Sequence, residues 1–518
     1  MTDANKHATN LAPEPSLQDW IAVLSTMLGA FMAVIDILIT NASLKEIQSA
    51  LGATLNEGSW ISTAYLVAEI IIIPLTVWLN DLLGKRRLTI WLTLGFIGSS
   101  LLCSLAWSLN SMIVFRALQG LCGGAFIPLA FSMVLTHLPE HRRPTGMALF
   151  AVTATFAPAI GPTIGGWLTE TLGWQYLFYI NIPPGLLMIA GLMYGLKQNP
   201  INWKLLDQAD YAGICTMAIG LASLQVFLEE GYRNDWFSSP MILALAIVAF
   251  ISLGAFIIIE LSRDNPLLNL RILKNRNFFL SCIATVGLGI GFFGSIYALP
   301  LYLSQVQDNS PLQIGRLIMW MGLPQLAIIP CVPLLMRFID PRILCAFGFG
   351  LFGYASFISG SLNPDMGAEQ LLHIQLIRAA GQPLILITSS LIATSYIETR
   401  DAGAASALFN IIRNLTGAIF IALLVTMLQS ETRRNYEYLR ESVSSLNPQA
   451  LSRLDFLTDK LGNSERALAL IAEQAREQAS ILAYNEAFHI MGAALIISVL
   501  AILLTRRLPA GSKLGAVH

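Results

Sequence analysis

Fourteen stretches of apolar residues, each roughly the 20-residue length that crosses a bilayer as helix, follow one another almost without pause along this chain. They cover 20–44, 58–80, 87–108, 111–137, 144–170, 174–196, 209–230, 239–261, 278–304, 311–338, 342–362, 368–395, 402–428 and 485–506. A transmembrane barrel would instead alternate polar and apolar residues in short segments, and no such alternation is present. The charged residues agree with lipid as the main solvent: they make up 12% of the 518 residues, against about 25% in soluble proteins. That share cannot cover a soluble enzyme of this length, and a net charge of −1 offers nucleic acid no basic face. With 55% apolar residues, intrinsic disorder is excluded as well. The six cysteines lie inside apolar runs and have neither metal nor disulfide spacing. The predicted fold class is therefore an all-α polytopic membrane protein.

Residues 1–19 are polar and lack the basic-then-apolar order of a cleaved signal. An even number of spans places both termini on one side, and the Lys/Arg distribution says which side that is. With cytoplasmic termini, the inner segments hold 18 Lys and Arg and the short outer loops hold two, Lys45 and Arg233. Both termini are therefore expected in the cytoplasm.

Weak self-similarity divides the chain. Pro74-Leu75 and Asp81 recur as Pro333-Leu334 and Asp340, Ala148-Leu149-Phe150 as Ala407-Leu408-Phe409, and Arg116-Ala117 as Arg378-Ala379. The register works when spans 7 and 8 are an extra pair between two six-helix halves. Such repeats, with a binding site between them, mark alternating-access carriers. The expected organisation is a tail at 1–19, an N-terminal bundle at 20–197, an inserted pair with its linkers at 198–277, a C-terminal bundle at 278–506 and a tail at 507–518. Residues 429–484 form a long outer connection before span 14. From Ser464 onward, Leu468, Ile471, Ala475, Ala479 and Leu482 recur at helical spacing, which predicts a helix that carries span 14 outward.

Three segments carry local chemistry. The turn after span 2 contains Asp81, Gly84 and the cluster Lys85, Arg86 and Arg87, an acid and bases at helix ends around a residue suited to a tight turn. On its own it also reads as a positive-inside anchor. Span 4 contains Arg116 and Gln119, and an arginine inside a membrane is costly enough to imply a buried partner. Span 5 contains Pro158, Gly161, Pro162, Gly165 and Gly166, where glycines permit close helix approach and prolines bend the chain.

In this order the three segments resemble the shared signatures of the major facilitator superfamily. Span 5 is similar to the antiporter signature of its drug/proton branches. Ile35-Asp36-Ile37-Leu38-Ile39-Thr40-Asn41 resembles the membrane-embedded aspartate motif of the fourteen-span EmrB/QacA-type exporters, and the stretch from Trp174 through Asn181 to Gly185 resembles the start of their span 6. The likeness covers all fourteen spans and is nearest to the EmrB type. It implies two six-helix bundles plus two extra central helices. Four positions depart from the pattern: Val77 and Lys45 replace a glycine and a proline, and Ala148 and Ala157 replace glycines.

The buried ionisable groups point to mechanism. At about 1.5 Å of rise per helical residue, Asp36 lies about 24 Å from the inner surface and Arg116 about 8 Å from the outer one. In a core about 30 Å thick they share a depth, which predicts an ion pair. Glu69 falls near the midplane without an obvious partner. Asp36 and Glu69 can take up a proton and arginine cannot, so Asp36, Glu69 and Arg116 are the expected proton-coupling set. Asn41, Gln119, Tyr297, Arg378 and Arg413 are the candidates for lining the cavity.

The reading is a proton-coupled antiporter of the bacterial inner membrane that exports amphipathic small molecules, with no cofactor beyond the proton gradient. It is not an enzyme: neither a catalytic constellation nor a nucleotide-binding loop is present. Its partners are the substrate, protons and membrane lipid, with no nucleic acid. The resemblance adds a periplasmic adaptor and an outer-membrane channel. The alternatives are an exporter of one endogenous product such as a siderophore, a proton-symport importer, and a transport-inactive receptor or scaffold.

Overall fold

The computed structural model describes residues 14–507 apart from 208, 264–265, 310, 365, 396, 399–400 and 443–447, so the outer parts of both predicted tails lie outside the described residues. Among the described residues twelve helices are long and apolar enough to cross a membrane, and two further pairs, each bent at a short break, bring the number to fourteen when each pair is one span. In chain order these are α1 (Leu17–Ala42), α2 (Trp60–Leu83), α3 (Lys85–Ser104), α4 (Leu109–His137), α5 (Arg143–Thr171), α6 (Tyr176–Gly195) and α7 (Tyr211–Glu230). They continue with α8 (Pro240–Ser262), α9 (Arg276–Gln305), α10 (Pro311–Ile328 with Cys331–Phe338), α11 (Pro341–Ser359), α12 (Ala368–Thr394), α13 (Ala402–Ser442) and α14 (Ser464–Leu503).

Local chemistry sets the ends and bends. Ser16 starts α1 through a capping box with Asp19, and Ser108 accepts from the Ser111 amide at the start of α4. The bends in α5 and α10, 45° and 54°, fall beside Pro158 and Pro330, where a ring replaces an amide hydrogen. Helices α1–α6 pack together, as do α9–α14, while α7 and α8 pair with each other and α7 lies against α2 and α13. The turn between α7 and α8 touches both bundles. Ser59 Oγ donates to Glu230 Oε1 at 3.1 Å, and Trp236 Nε1 donates to Thr426 Oγ1 at 3.0 Å.

The two bundles close on the face that carries Lys85, Arg86 and Arg87. There Phe131 of α4 stacks on Phe409 of α13, with ring centroids 6.1 Å apart, and Ser406 Oγ donates to the Pro128 carbonyl at 3.0 Å. One apolar cluster joins Val134, Met147 and Phe150 to Ile329, Met336 and Leu391 across this seam.

The outer connection differs from a loop. Helix α13 runs unbroken to Ser442, a connecting helix spans Pro448–Leu461, and α14 starts at Ser464. Nothing in 429–442 interrupts a helix, and Arg434 and Arg440 pair with Glu431 and Glu437 one turn earlier at 2.6 and 3.0 Å. The extension of α14 is helical as the spacing predicts, and the apolar positions of that spacing are only partly covered: Ala479 is buried and Ile471 and Ala475 are half-buried. Leu468 and Leu482 are exposed, at 53% and 44%, while Ala467, Ala479 and Ala483 are buried. Small residues let α14 lie close to its neighbours, and the two leucines point away.

Candidate functional site

The N-terminal bundle folds around one charged cluster. Gly120 and Gly124 of α4 face α2 so closely that a Cβ would lie 2.3 Å from the Tyr65 carbonyl oxygen and 2.8 Å from the Glu69 Cα. This approach brings the Tyr65 ring to 4.4 Å from the Arg116 guanidinium, with Phe178 of α6 at 5.9 Å. Arg116 Nη1 donates to Asp36 Oδ2 at 2.6 Å and to Gln119 Oε1 at 2.7 Å, and Arg116 and Asp36 are both fully buried. The other Asp36 oxygen accepts from Gln119 Nε2 at 2.9 Å and from Asn181 Nδ2 at 2.7 Å. Both amides also donate to Ser100 Oγ, at 2.7 and 3.2 Å. Helices α1, α3, α4 and α6 thus converge on one carboxylate held by three donors. Arg116 Nη2 and the Tyr65 hydroxyl are buried without a hydrogen-bond partner among the described residues.

The remaining predicted residues are dispersed. Glu69, 7% exposed, makes no hydrogen bond among the described residues and feels the charges of Arg413 and Arg116. Arg413 is half-buried on α13, so a carboxyl of one bundle and a guanidinium of the other lie within electrostatic reach. Gln119 belongs to the Asp36 cluster rather than to a cavity wall. Asn41 is exposed at the end of α1, where it accepts from Ser62 Oγ at 2.5 Å. Tyr297 lines a crevice of about 1080 Å³ on the face opposite the basic turn. Arg378 is fully buried inside the C-terminal bundle.

The basic turn is built for tight backbone geometry more than for ion pairing. Gly84 has φ +77°, and it lies where a Cβ would come 3.1 Å from that of Asn199. Asp81 is exposed and accepts from Asn80 Nδ2 at 3.3 Å, while Lys85 Nζ donates to Thr136 Oγ1 at 2.5 Å. Among the described residues Asp81, Lys85, Arg86 and Arg87 form no ion pair. The charge contact appears instead at the repeat-related position, where Asp340 pairs with Arg342 at 3.0 Å. Val77 packs against the apolar cluster that includes Ala404 and Ala405 at the start of α13, so the departure from glycine is accommodated.

In α5, Gly165 faces α1: a Cβ there would lie 2.9 Å from the Ile39 carbonyl oxygen, and its own carbonyl accepts from Ser43 Oγ at 3.2 Å. A Cβ on Gly161 would lie 2.9 Å from that of Leu38, whereas among the described residues nothing lies within 4 Å of a Cβ on Gly166. Pro162 is exposed and Pro158 half-buried. The tight glycines therefore seal α5 to α1 within one bundle, not to the other half. Ala148 and Ala157 are buried, as residues small enough for such seams.

Two helical bundles closed on one face, with ionisable groups buried at their centre, define a polytopic membrane transport protein. The chain belongs to the Major Facilitator Superfamily, whose sequence model matches residues 26–421. It is 32% identical over 504 residues to the "Colistin resistance protein EmrB" of Acinetobacter baumannii, covering 96% of this chain and 98% of that one. It is 31% identical over 508 residues to the "Multidrug export protein EmrB" of Escherichia coli, with the same coverage. The "Fatty acid resistance protein FarB" of Neisseria gonorrhoeae is 30% identical over 476 residues, covering 90% of this chain and 92% of that one. The crystal structure of the human organic anion transporter MFSD10 superposes with a TM-score of 0.59, covering 93% of this chain and 99% of that one at 13% identity, and shares the fold.

Sequence reasoning passed over Tyr65 and Ser100, and took Asn181 only as part of a resemblance. A serine and a tyrosine in apolar helices carry no signal until Arg116 and Asp36 are placed beside them.

Proposed function

We propose that this protein exports amphipathic small molecules across the bacterial inner membrane in exchange for protons, by alternating access between the two bundles. The observation that carries the reading is the Asp36 cluster. A carboxylate held by Arg116, Gln119 and Asn181, a group able to accept a proton, lies at the meeting point of α1, α3, α4 and α6. Taking up a proton removes its charge and the ion pair, while Gln119 Oε1 and the Ile61 carbonyl remain as acceptors for Arg116. The guanidinium then has a different best position, which is how a proton becomes a change of helix packing. Glu69 and Arg413, on opposite bundles and within reach of each other's charge, are a second charge-sensitive pair.

With both termini in the cytoplasm, as the Lys/Arg distribution requires, the closed face is cytoplasmic and this conformation faces outward. The outer hairpin of α13, the connecting helix and α14 then rises into the periplasm, where it meets an adaptor protein leading to an outer-membrane channel. The names of the EmrB relatives support a multidrug range over one endogenous substrate.

The test is substrate-driven proton flux in proteoliposomes. Asp36→Asn should retain substrate binding and lose flux. Gradient-driven export by that variant at the wild-type rate would refute the assignment of Asp36.

A further inference from the structure

The C-terminal bundle holds a second fully buried arginine, assembled in the same frame but without a carboxylate. Arg378 of α12 is 0% exposed. Its Nη2 donates to Ser359 Oγ at 2.7 Å and its Nη1 to Gln375 Oε1 at 3.3 Å, and Phe488 lies 5.3 Å from the guanidinium. The Ser359 hydroxyl hydrogen is directed to the Ala355 carbonyl at 2.9 Å, so Ser359 acts toward Arg378 as an acceptor. All these partners are neutral, and no charged group among the described residues acts on Arg378. Two donors remain buried without an acceptor, the Nε of Arg378 and the Nε2 of Gln375, which is itself 1% exposed.

The internal duplication shows what is missing. Arg378-Ala379 repeats Arg116-Ala117, and Ser359 stands 259 residues after Ser100. Phe488 of α14 covers Arg378 as Phe178 of α6 covers Arg116. The counterpart of Asp36 at the same interval is Ser295 of α9, whose hydroxyl is directed at Met491 Sδ, 3.9 Å away. The arginine, its serine and its aromatic cover are kept, and the carboxylate is not.

We propose that Arg378 and Gln375 bind a small monovalent anion, either chloride or the carboxylate group of an amphipathic compound, which takes the part that Asp36 plays in the other bundle. A buried guanidinium surrounded by neutral groups is unfavourable and cannot shed its proton. An anion relieves that charge and supplies an acceptor where the two buried N–H groups have none among the described residues. The approach is from the outer face. Tyr484, one helical turn before Phe488, lines the crevice whose wall sets Arg233, Arg433 and Arg476 against Asp308, Glu473 and Glu477. That balance of charge does not repel an anion.

Thermal unfolding of the purified full-length protein tests the site without any reference to proton coupling. In methanesulfonate buffer at fixed pH and ionic strength, replacing methanesulfonate with chloride should raise the midpoint saturably, by several degrees at saturation. Gln375→Glu places a carboxylate against the guanidinium, so it should be stable in methanesulfonate and lose the response. Arg378→Gln should lose the response too, and Gly166→Ala should keep it. Octanoate titrated into the methanesulfonate buffer separates the sources: a saturable shift by octanoate alone assigns the site to carboxylates, a shift by chloride alone assigns it to the inorganic ion, and an octanoate shift that vanishes in chloride-saturated protein marks one site open to both. No saturable shift by either anion in the wild-type protein overturns the proposal. So does a response in Arg378→Gln equal to that of wild type.

Discussion

Neutralising Asp36 should destabilise this protein more than neutralising Arg116, although the two form a single pair. Both side chains are fully buried and 2.6 Å apart, and removing one member of such a pair costs about 3–5 kcal/mol. In Asp36→Asn the guanidinium keeps its charge, because arginine cannot lose a proton. It has little to fall back on: Gln119 Oε1 at 2.7 Å and the Ile61 carbonyl at 3.4 Å are already used, and Nη2 has no partner. The new amide oxygen is one neutral acceptor, which puts the loss near the low end, about 3 kcal/mol. In Arg116→Gln the carboxylate keeps its bonds from Gln119 and Asn181 and can take up a proton, so the loss falls to about 1–3 kcal/mol. The double variant leaves no buried charge and should lose only about 1–2 kcal/mol. The singles sum to about 5 kcal/mol, which gives a coupling of about 3 kcal/mol. At about 2–4 °C per kcal/mol for a bundle of this size, Asp36→Asn should unfold roughly 6–12 °C below wild type, with the double variant between them. Thermal unfolding of all four proteins in one detergent is the assay. A double variant whose loss equals the sum of the singles would show that the pair is not coupled and refute the reasoning.

Three further outcomes follow from particular contacts. Gly165→Val should cost about 1–3 kcal/mol and abolish transport, because its Cβ meets the Ile39 backbone, while Gly166→Ala should do neither; equal flux in the two variants would sink this. Phe409→Ala removes the ring stacked on Phe131 across the closed face, and should increase labelling of a cysteine placed at Ser406 by a membrane-impermeant reagent from the basic side. Asp340 lies outside the spans; partial burial works to raise its carboxyl, but the Arg342 hydrogen bonds and charge, with Arg507, hold it below the ordinary value. Its stabilisation is therefore complete above the ordinary carboxylate value and is lost as pH falls through the depressed one, so the stability gap between wild type and Asp340→Asn should narrow on acidification. A gap that widens would count against this.

What the sequence made legible depended on how unusual each residue is in its surroundings. An aspartate and an arginine inside apolar helices are conspicuous because lipid offers them nothing, and their common depth follows from helical rise alone. That argument reaches the pair and stops there. Gln119 and Asn181 complete the carboxylate's donors, but an amide near a helix turn is ordinary, and Ser100 and Tyr65 are more ordinary still. The same limit explains Arg378. Its depth resembles that of Arg116, so it reads as a cavity residue; that its neighbours are all neutral is a statement about α11, α12 and α14 together. The outer hairpin shows the opposite limit. Its helical period is plain in the sequence, but apolarity alone does not say which positions are covered: Leu468 and Leu482 of the apolar series are exposed, while Ala479 of the same series is buried with Ala467 and Ala483, since small side chains let helices approach. In a protein whose solvent is partly lipid, size and charge decide burial more than apolarity does. The glycines of α4 and α5 follow that rule as well. Their positions were visible as a pattern, but only the structure shows that Gly120 and Gly124 bring α2 onto the ion pair, while Gly165 fixes α1, which carries Asp36, against α5. The packing seams and the charged cluster are thus one construction, and a change at a seam is expected to reach the carboxylate through the helix that bears it.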